Sequence, residues 1–341
     1  MMETLVLKAS PEAFKKGGEI LRSGGLVAFP TETVYGLGGN ALDADAAKKI
    51  YAAKGRPSDN PLIIHLARVD DAEKYCHTDD MFRRLAARFM PGPITVVLKK
   101  RDIIPDTVTG GLDTVAIRIP ADENARALID AAGVPVAAPS ANTSGKPSPT
   151  CAAHVIEDMR GRIDMIIDGG DSEIGLESTI VKLVDGHLTL LRPGGITAEM
   201  LRAIDPDLRL DKAVTGKLAE GERPQAPGMK YRHYAPDTRV VILDGDARQF
   251  ADYVRAHADE KKTGVLVFDD EAAAFDGANV TVVTLGMHTA EAEAHSLFAR
   301  LRDIDKQGCE VFYVRMPRRE GIGLAVYNRM IKAAGHEVVT L

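Results

Sequence analysis

Apolar and polar positions along the chain fall into short segments of two periods. Residues 11–23 repeat an apolar side through Phe14, Ile20 and Leu21, which predicts an amphipathic helix. The run LVAF at 26–29 is too short and too rich in β-formers for a helix and predicts a buried strand. A helix over roughly 44–54 follows, with Asp43 as its N-cap and Gly55 and Pro57 as its stop. Strands are then predicted at 62–66, 94–100, 114–120, 164–170, 178–184 and 188–195, and a strand running into a loop over 134–142. Helices are predicted at 80–90, 122–133, 151–161 and 197–204. The first 200 residues thus mix strands and helices without strict alternation, and three late strands follow one another closely. That order predicts an α/β fold with a mixed, partly antiparallel sheet covered by helices.

Periodicity fades over 205–237, where Pro, Gly and charge accumulate. This predicts a long linker between a domain of residues 1–204 and another of 238–341, long enough to suspect a function. From 239 onward, strands at 239–243, 263–268, 280–285 and 310–316 alternate with helices ending about 257, at 290–304 and near 324–334. Alternation of that kind predicts a small parallel α/β domain.

Composition narrows the class. A chain 45% hydrophobic and 27% charged is globular and soluble by expectation. It has no run of 18 apolar residues, so no membrane span is expected. The N-terminus lacks a basic stretch followed by an apolar one, and Cys76, Cys151 and Cys309 are scattered without a CxxC. A cytoplasmic protein with neither disulfide framework nor zinc site is therefore expected. The net charge is −6, and residues 1–200 are themselves net acidic. Proteins that grip a long phosphate backbone are usually basic, so a small anion held by a local cluster of cations fits better.

The chain has no GxxxxGK[ST], GxSxG or HExxH motif. GLGGNA at 36–41 satisfies the dinucleotide fingerprint, but the following helix starts only after Asp43, which argues against that use. Lys54 and Arg56, just past a helix end, either complement its dipole or form a phosphate clamp beside Asn60. Strand alternation puts Thr114, Ala116 and Arg118 on one face and Val115, Ile117 and Ile119 on the other. An Arg in such a strand needs a partner, either an internal carboxylate or a ligand's carboxylate or phosphate. The segment 138–150, APSANTSGKPSPT, is a plain surface loop or a nucleotide site in which Ser140, Asn142 and Ser148 make contacts. Ser178 and Thr179 begin a strand, and Arg192 ends one before a flexible turn. In the linker, Lys230, Arg232 and His233 cluster with Tyr231 and Tyr234, as expected of a segment that folds over a bound polyanion. Cations, hydroxyls and glycines recurring at strand ends of an acidic protein suit a small, multiply charged ligand such as a nucleotide.

FPTETVYGLGGNA (29–41), KGRPSDNPLIIH (54–65), PGPITVVL (91–98), TVAIRIP (114–120), PSANTSGKPSPT (139–150), ESTIV (177–181) and LRPGG (191–195), in that order, resemble the YrdC family. PGMKYRHYAP and the C-terminal α/β region resemble its long two-domain form. The resemblance implies a twisted mixed sheet around an open cavity, followed by a Rossmann-like domain. It implies a nucleotidyl transfer in which L-threonine, bicarbonate and ATP give threonylcarbamoyl-AMP, pyrophosphate and water, with Mg²⁺ carried by the ATP phosphates and no metal held by the protein. It implies that Lys54, Arg56 and Asn60 face the phosphates, Lys54 and Arg56 as catalytic residues, and that Thr114, Ser140, Asn142, Ser148 and Arg192 line the ATP site. Tyr231 and His233 would close over the nucleotide, with Lys230 and Arg232 as further candidates. Thr33, His65, Arg118, Ala138 and Ser178 would form the threonine pocket, Arg118 on the amino-acid carboxylate. The product would pass to a downstream tRNA threonylcarbamoyl transferase, with any direct tRNA or double-stranded RNA binding weak and no membrane involved.

Within that frame, residues 29–41 are a cavity wall, Thr33 offers a hydroxyl to threonine, and the glycines let the backbone approach the ligand. Glu32 either holds a nearby cation such as Lys54 or touches substrate. A non-catalytic RNA-binding module is the competing class, disfavoured by the acidic balance and by the hydroxyl-rich lining. A carbamoyl-phosphate-using maturation enzyme would need zinc fingers that three cysteines do not supply.

Overall fold

The computed structural model describes residues 2–216, 234–258 and 262–341. The chain divides into two compact units, residues 1–144 with 148–231 and residues 145–147 with 232–341.

The first unit runs β1 (Leu5–Lys8), α1 (Pro11–Arg22), β2 (Val27–Phe29), β3 (Gly36–Asn40), α2 (Ala44–Lys54), β4 (Ile63–His65), α3 (Asp80–Phe89), β5 (Ile94–Lys99), α4 (Asp106–Thr109) and β6 (Thr114–Arg118). It continues with α5 (Glu123–Ala132), β7 (Val136–Ala138), α6 (Ala152–Met159), β8 (Met165–Asp168), β9 (Thr179–Val184), β10 (His187–Arg192), α7 (Ala198–Arg202) and β11 (Arg209–Leu210). The strands make one sheet in the order β1-β8-β2-β3-β7-β4-β6-β5-β9-β10-β11, with parallel and antiparallel neighbours, so the mixed sheet is as expected. Local chemistry sets the helix ends. Asp43 caps α2 by accepting from the Asp45 amide, and Gly55 closes it at φ 64°, the left-handed conformation that glycine adopts without a Cβ penalty. Ser10, Asp79 and Asp122 cap α1, α3 and α5 in the same way.

The pattern did not reveal β1, β3, β11 or β16, and β3 lies inside the stretch read as a cavity wall. Bare glycine has no side chain to alternate and a low strand propensity. Its glycines answer to packing. A Cβ on Gly36 would stand 3.1 Å from the Phe29 ring, and one on Gly38 would stand 2.9 Å from that ring and 2.8 Å from Val136. Gly39 faces Ile50 and Leu26. The glycines thus admit the Phe29 ring and its neighbours, whereas the sequence reading gave them to ligand approach.

Register fixes which side chains share a face. Phe29 lies opposite Gly36, Ile63 opposite Ala138, His65 opposite Arg118, Arg118 opposite Thr95 and Thr95 opposite Ile180. At the β2 end this face is covered by α1 and α5, where Ala13, Leu21, Phe29, Leu128 and Ala138 share a core. At the β4-β6-β5-β9 end it carries Ile63, Ala116, Val97 and Ile180, packed with Leu191 and Ala213. Within the stretch expected as linker, β11 pairs in parallel with β10 and Ala213 joins that second cluster.

The second unit contains β12 (Arg239–Asp244), α8 (Ala247–His257), β13 (Thr263–Val267), β14 (Thr281–Thr284), α9 (Ala290–Asp303), β15 (Val311–Arg315), α10 (Gly323–Ala333) and β16 (Val338–Thr340). All its strand pairs are parallel, in the order β14-β13-β15-β12-β16, a Rossmann-like sheet with β15 inserted between β13 and β12. No helix among the described residues is long and apolar enough to cross a membrane.

Candidate active site

The row of opposed residues on β4, β6 and β5 places Arg118 between His65 and Thr95. Arg118 is buried, and its Nη2 lies 2.8 Å from Oε1 of the equally buried Glu32. Apart from this ion pair, Nε and Nη2 of Arg118 are buried without a hydrogen bond among the described residues. The other oxygen of Glu32 accepts from the Asp122 amide at 3.4 Å. Burial, the largest single influence, would raise the Glu32 carboxyl, but the Arg118 guanidinium and the nearby backbone amides together outweigh it and hold the group below its ordinary value. The internal carboxylate, one of the two partners weighed for Arg118, is therefore present. The cation held by Glu32 is Arg118, not Lys54.

His65 is almost fully buried. Its Nδ1 lies 3.1 Å from the Ile63 carbonyl, which only accepts, so this nitrogen carries the proton. Burial, and then the Arg118 charge, pushes its pKa down to about 3. The ring is neutral throughout the physiological range, which makes it a poor proton acceptor. Thr31 donates to the Val34 carbonyl at 2.6 Å, so in the 2.8 Å contact between Thr31 and Thr33 the donor is Thr33. The Thr33 oxygen keeps its lone pairs as an acceptor.

Ser178 continues the polar row. Its Oγ lies 2.8 Å from Thr95 Oγ1, and Arg192 donates to it from Nη2 at 3.2 Å and to the Ser178 carbonyl from Nε at 3.1 Å. Thr95 was not singled out from the sequence. Its signal would have been a lone hydroxyl in an apolar strand, but only the register shows that it faces Arg118. Gly194 holds this corner tight, because a Cβ there would stand 2.4 Å from the Thr179 nitrogen and 2.7 Å from the Glu177 carbonyl. Gly194→Ala is expected to force these backbones apart at a cost of about 1–3 kcal/mol. Thermal melts check this, and an unchanged Tm would show that the corner has slack.

A second group gathers at the C-terminus of α2. The buried Lys54 ammonium donates to the Ser140 carbonyl at 2.5 Å and, more closely still, to the Asn142 carbonyl, with Asn142 Oδ1 at 3.5 Å. Ser140 Oγ donates to Asn142 Oδ1 at 2.5 Å, and the Ser144 amide donates to the Lys54 carbonyl at 2.8 Å. Lys54 thereby ties the loop after β7 to α2. Arg56 donates from Nη2 to the Pro61 carbonyl at 3.1 Å and to the Asn60 carbonyl at 3.3 Å, while Asn60 Oδ1 is buried without a partner among the described residues. Ser148 donates to Glu177 at 2.5 Å, a carboxylate that was quoted in a motif but not assigned a role.

The structure thus brings His65, Arg118, Ser178 and Arg192 into one continuous polar row with Thr95, and Lys54, Ser140 and Asn142 into another cluster. Ala138 shares the face of that row through its pairing with Ile63. Thr114 shares the strand face but stands at the opposite end of β6 from Arg118, roughly 13 Å along it. Tyr231, His233, Lys230 and Arg232 lie outside the described residues. Among the described residues, one group could close on a metal ion, His187 with Asp205 and Asp207. Asp205 already accepts from the Leu188 amide at 2.6 Å, and His187 begins β10 while Arg192 ends it, about 17 Å away.

Two family models match in tandem. One, described as telomere recombination and of the Sua5–YciO–YrdC type, spans residues 19–194, and one described as the threonylcarbamoyl-AMP synthase C-terminal domain spans residues 196–335. A threonylcarbamoyl-AMP synthase of Pyrococcus abyssi is 46% identical over 94% of this chain and 93% of its own length. One of Bacillus subtilis is 42% identical over 98% and 96%. The crystal structure of P. abyssi Sua5 complexed with L-threonine superposes with a TM-score of 0.90 at 43% identity, covering 100% of this chain and 99% of that one. Escherichia coli YciO, 23% identical with a TM-score of 0.51, shares the fold over 57% of this chain and 96% of its own. The chain belongs to the threonylcarbamoyl-AMP synthase family, in its two-domain Sua5 form.

Proposed function

We propose that the chain joins L-threonine, bicarbonate and ATP into threonylcarbamoyl-AMP, releasing pyrophosphate and water. The observation that carries the assignment of the amino-acid pocket is the buried Arg118 guanidinium, whose Nε and Nη2 find no hydrogen bond among the described residues apart from the ion pair of Nη2 with Glu32. Glu32 neutralises part of its charge through Nη2, and the rest of the guanidinium suits the carboxylate of an amino acid. The Thr33 oxygen then accepts from the amino group, and Ser178 and the small Ala138 complete the pocket beside the neutral His65.

The threonine amine and bicarbonate combine to a carbamate with loss of water. A carbamate oxygen attacks the α-phosphorus, and the bond from that phosphorus to the pyrophosphate oxygen breaks. No protein nucleophile takes part, so the side chains act by holding the reactants in line and by balancing charge. Lys54, Arg56 and Asn60 are assigned to the phosphates, and Thr114, Ser140, Asn142, Ser148 and Arg192 to the nucleotide. Tyr231 and His233 are assigned as its cover. Arg192, bonded to Ser178, would link the two substrates' positions. The phosphate-facing groups are cations, amides and hydroxyls, which suits an ion that arrives on the triphosphate. Mg²⁺ there would supply further neutralisation of phosphate charge. The adenylate product suits a second enzyme that transfers the threonylcarbamoyl group to a tRNA adenosine in the cytoplasm, with direct RNA contact by this acidic chain at most weak.

Pyrophosphate release is the test. With ATP and bicarbonate present, release is expected with L-threonine and far less with L-serine, L-valine or no amino acid. Release indifferent to the amino acid, or none from folded protein, would reject the reading.

A further inference from the structure

The second unit has its own cavity, which the synthase reaction leaves unused. It holds about 190 Å³ and opens at the carboxyl ends of β13 and β15. From β13 the chain turns outward to β14, whereas from β15 it passes over β12 to β16. Neighbouring strands whose connections leave in opposite directions open a crevice, and open α/β sheets bind ligands there. Leu266, Leu285 and Met316 give it an apolar wall.

It is lined by two carboxylates and two arginines, of which one pair is bridged. Glu271, after β13, is paired with Arg315 at the end of β15. His288, after β14, lies 3.4 Å from Arg315 through Nε2 and 3.1 Å from Asp270 through Nδ1, and stacks on Phe268 at 4.1 Å. Two groups remain. Glu293, in the first turn of the 14-residue α9, is 5% exposed, lines the cavity and makes no side-chain hydrogen bond among the described residues. Arg318 lines the mouth, also without a hydrogen bond or salt bridge among them. Burial, helped by the Glu271 charge and opposed by Arg315 and Arg318, pushes the Glu293 carboxyl up to about 7.

We propose that this cavity binds a free α-amino acid, its ammonium on Glu293 and its carboxylate between Arg318 and the first amides of α9. One unspent carboxyl and one unspent guanidinium call for a ligand with both charges. A phosphate would meet the buried carboxyl of Glu293, and a bare cation would meet the two arginines. A nucleotide needs more room, since pockets for larger ligands run to roughly 300–1,000 Å³.

The test uses the whole chain carrying Arg118→Ala, which removes the amino-acid contact in the first unit. If that variant folds poorly, Arg118→Met/Glu32→Gln serves instead. Calorimetric titration with each common L-amino acid, with inorganic phosphate and with AMP is expected to find at least one amino acid that binds. Adding Glu293→Gln or Arg318→Gln is expected to weaken that binding roughly tenfold or more. Because the bound ammonium favours ionised Glu293, binding at pH 7 should also release about half a proton, read from the buffer dependence of the heat. Glu293→Gln keeps shape and removes charge, so it reports on binding rather than folding. No amino acid bound, binding indifferent to Glu293→Gln, or binding of phosphate or AMP alone would overturn the proposal.

Discussion

Arg118→Met is expected to lower kcat/KM for L-threonine by roughly 100-fold or more and stability by about 3–5 kcal/mol, and adding Glu32→Gln is expected to restore the stability but not the activity. Both losses start from one geometry. Removing the guanidinium strands the Glu32 carboxylate where it is 6% exposed, and an uncompensated buried charge is what makes half-broken pairs costly. Glutamine in place of Glu32 removes that charge, so the double variant loses the pair without the penalty. Catalysis should not follow, because the substrate carboxylate still lacks its cation. A factor of 100 is about 2.7 kcal/mol, within the range for a charge-assisted contact. The pH dependence separates the variants further. Glu32 in the wild type has a lowered pKa, so its contribution is present above the ordinary carboxylate range and is lost as the pH falls. In Arg118→Met the same carboxyl is buried with no cation and its pKa rises, so acidification should stabilise that variant. Denaturant melts at pH 5 and pH 8, with pyrophosphate assays at neutral pH, check all of this. Recovery of both properties in the double variant would make Arg118 purely structural.

How much of this was legible depended on whether the signal was local. The ends of α2 were readable because Asp43 and Gly55 act on their own neighbours. The facing of Thr114, Ala116 and Arg118 was readable because alternation belongs to one strand. Partners were not. Glu32 and Arg118 are 86 residues apart, and nothing near either names the other. The carbonyl partners of Lys54 were absent from both readings of it, dipole complement and phosphate clamp, because they come from a loop more than 80 residues away. β3 was missed for the opposite reason, since glycine erased the local signal and the ring that requires it sits on β2. In the second unit, alternation revealed a parallel sheet, but its cavity comes from the loops after β13, β14 and β15, whose meeting depends on strand order.

Lys54→Met is expected to cut pyrophosphate release at saturating ATP and threonine by roughly 100-fold, with Lys54→Arg little better. The ammonium is 1% exposed and aims its donors at the carbonyls of Ser140 and Asn142. Two duties are therefore combined in one group, ordering the loop that carries Ser140 and Asn142 and placing a positive charge beside the expected phosphates. Methionine fills the stem's volume but leaves those carbonyls without their donor, at about 1–3 kcal/mol each. Arginine keeps the charge, yet its planar fork does not match a compact three-donor site. The kinetic split decides which duty dominates. A charge that balances the leaving pyrophosphate acts most strongly in the transition state, so its loss falls on kcat. A loop tether acts on bound substrate and transition state alike, so its loss falls on KM for ATP. A Lys54→Met enzyme with raised KM and unchanged kcat would reduce Lys54 to a tether and move the catalytic charge to Arg56 or Arg192.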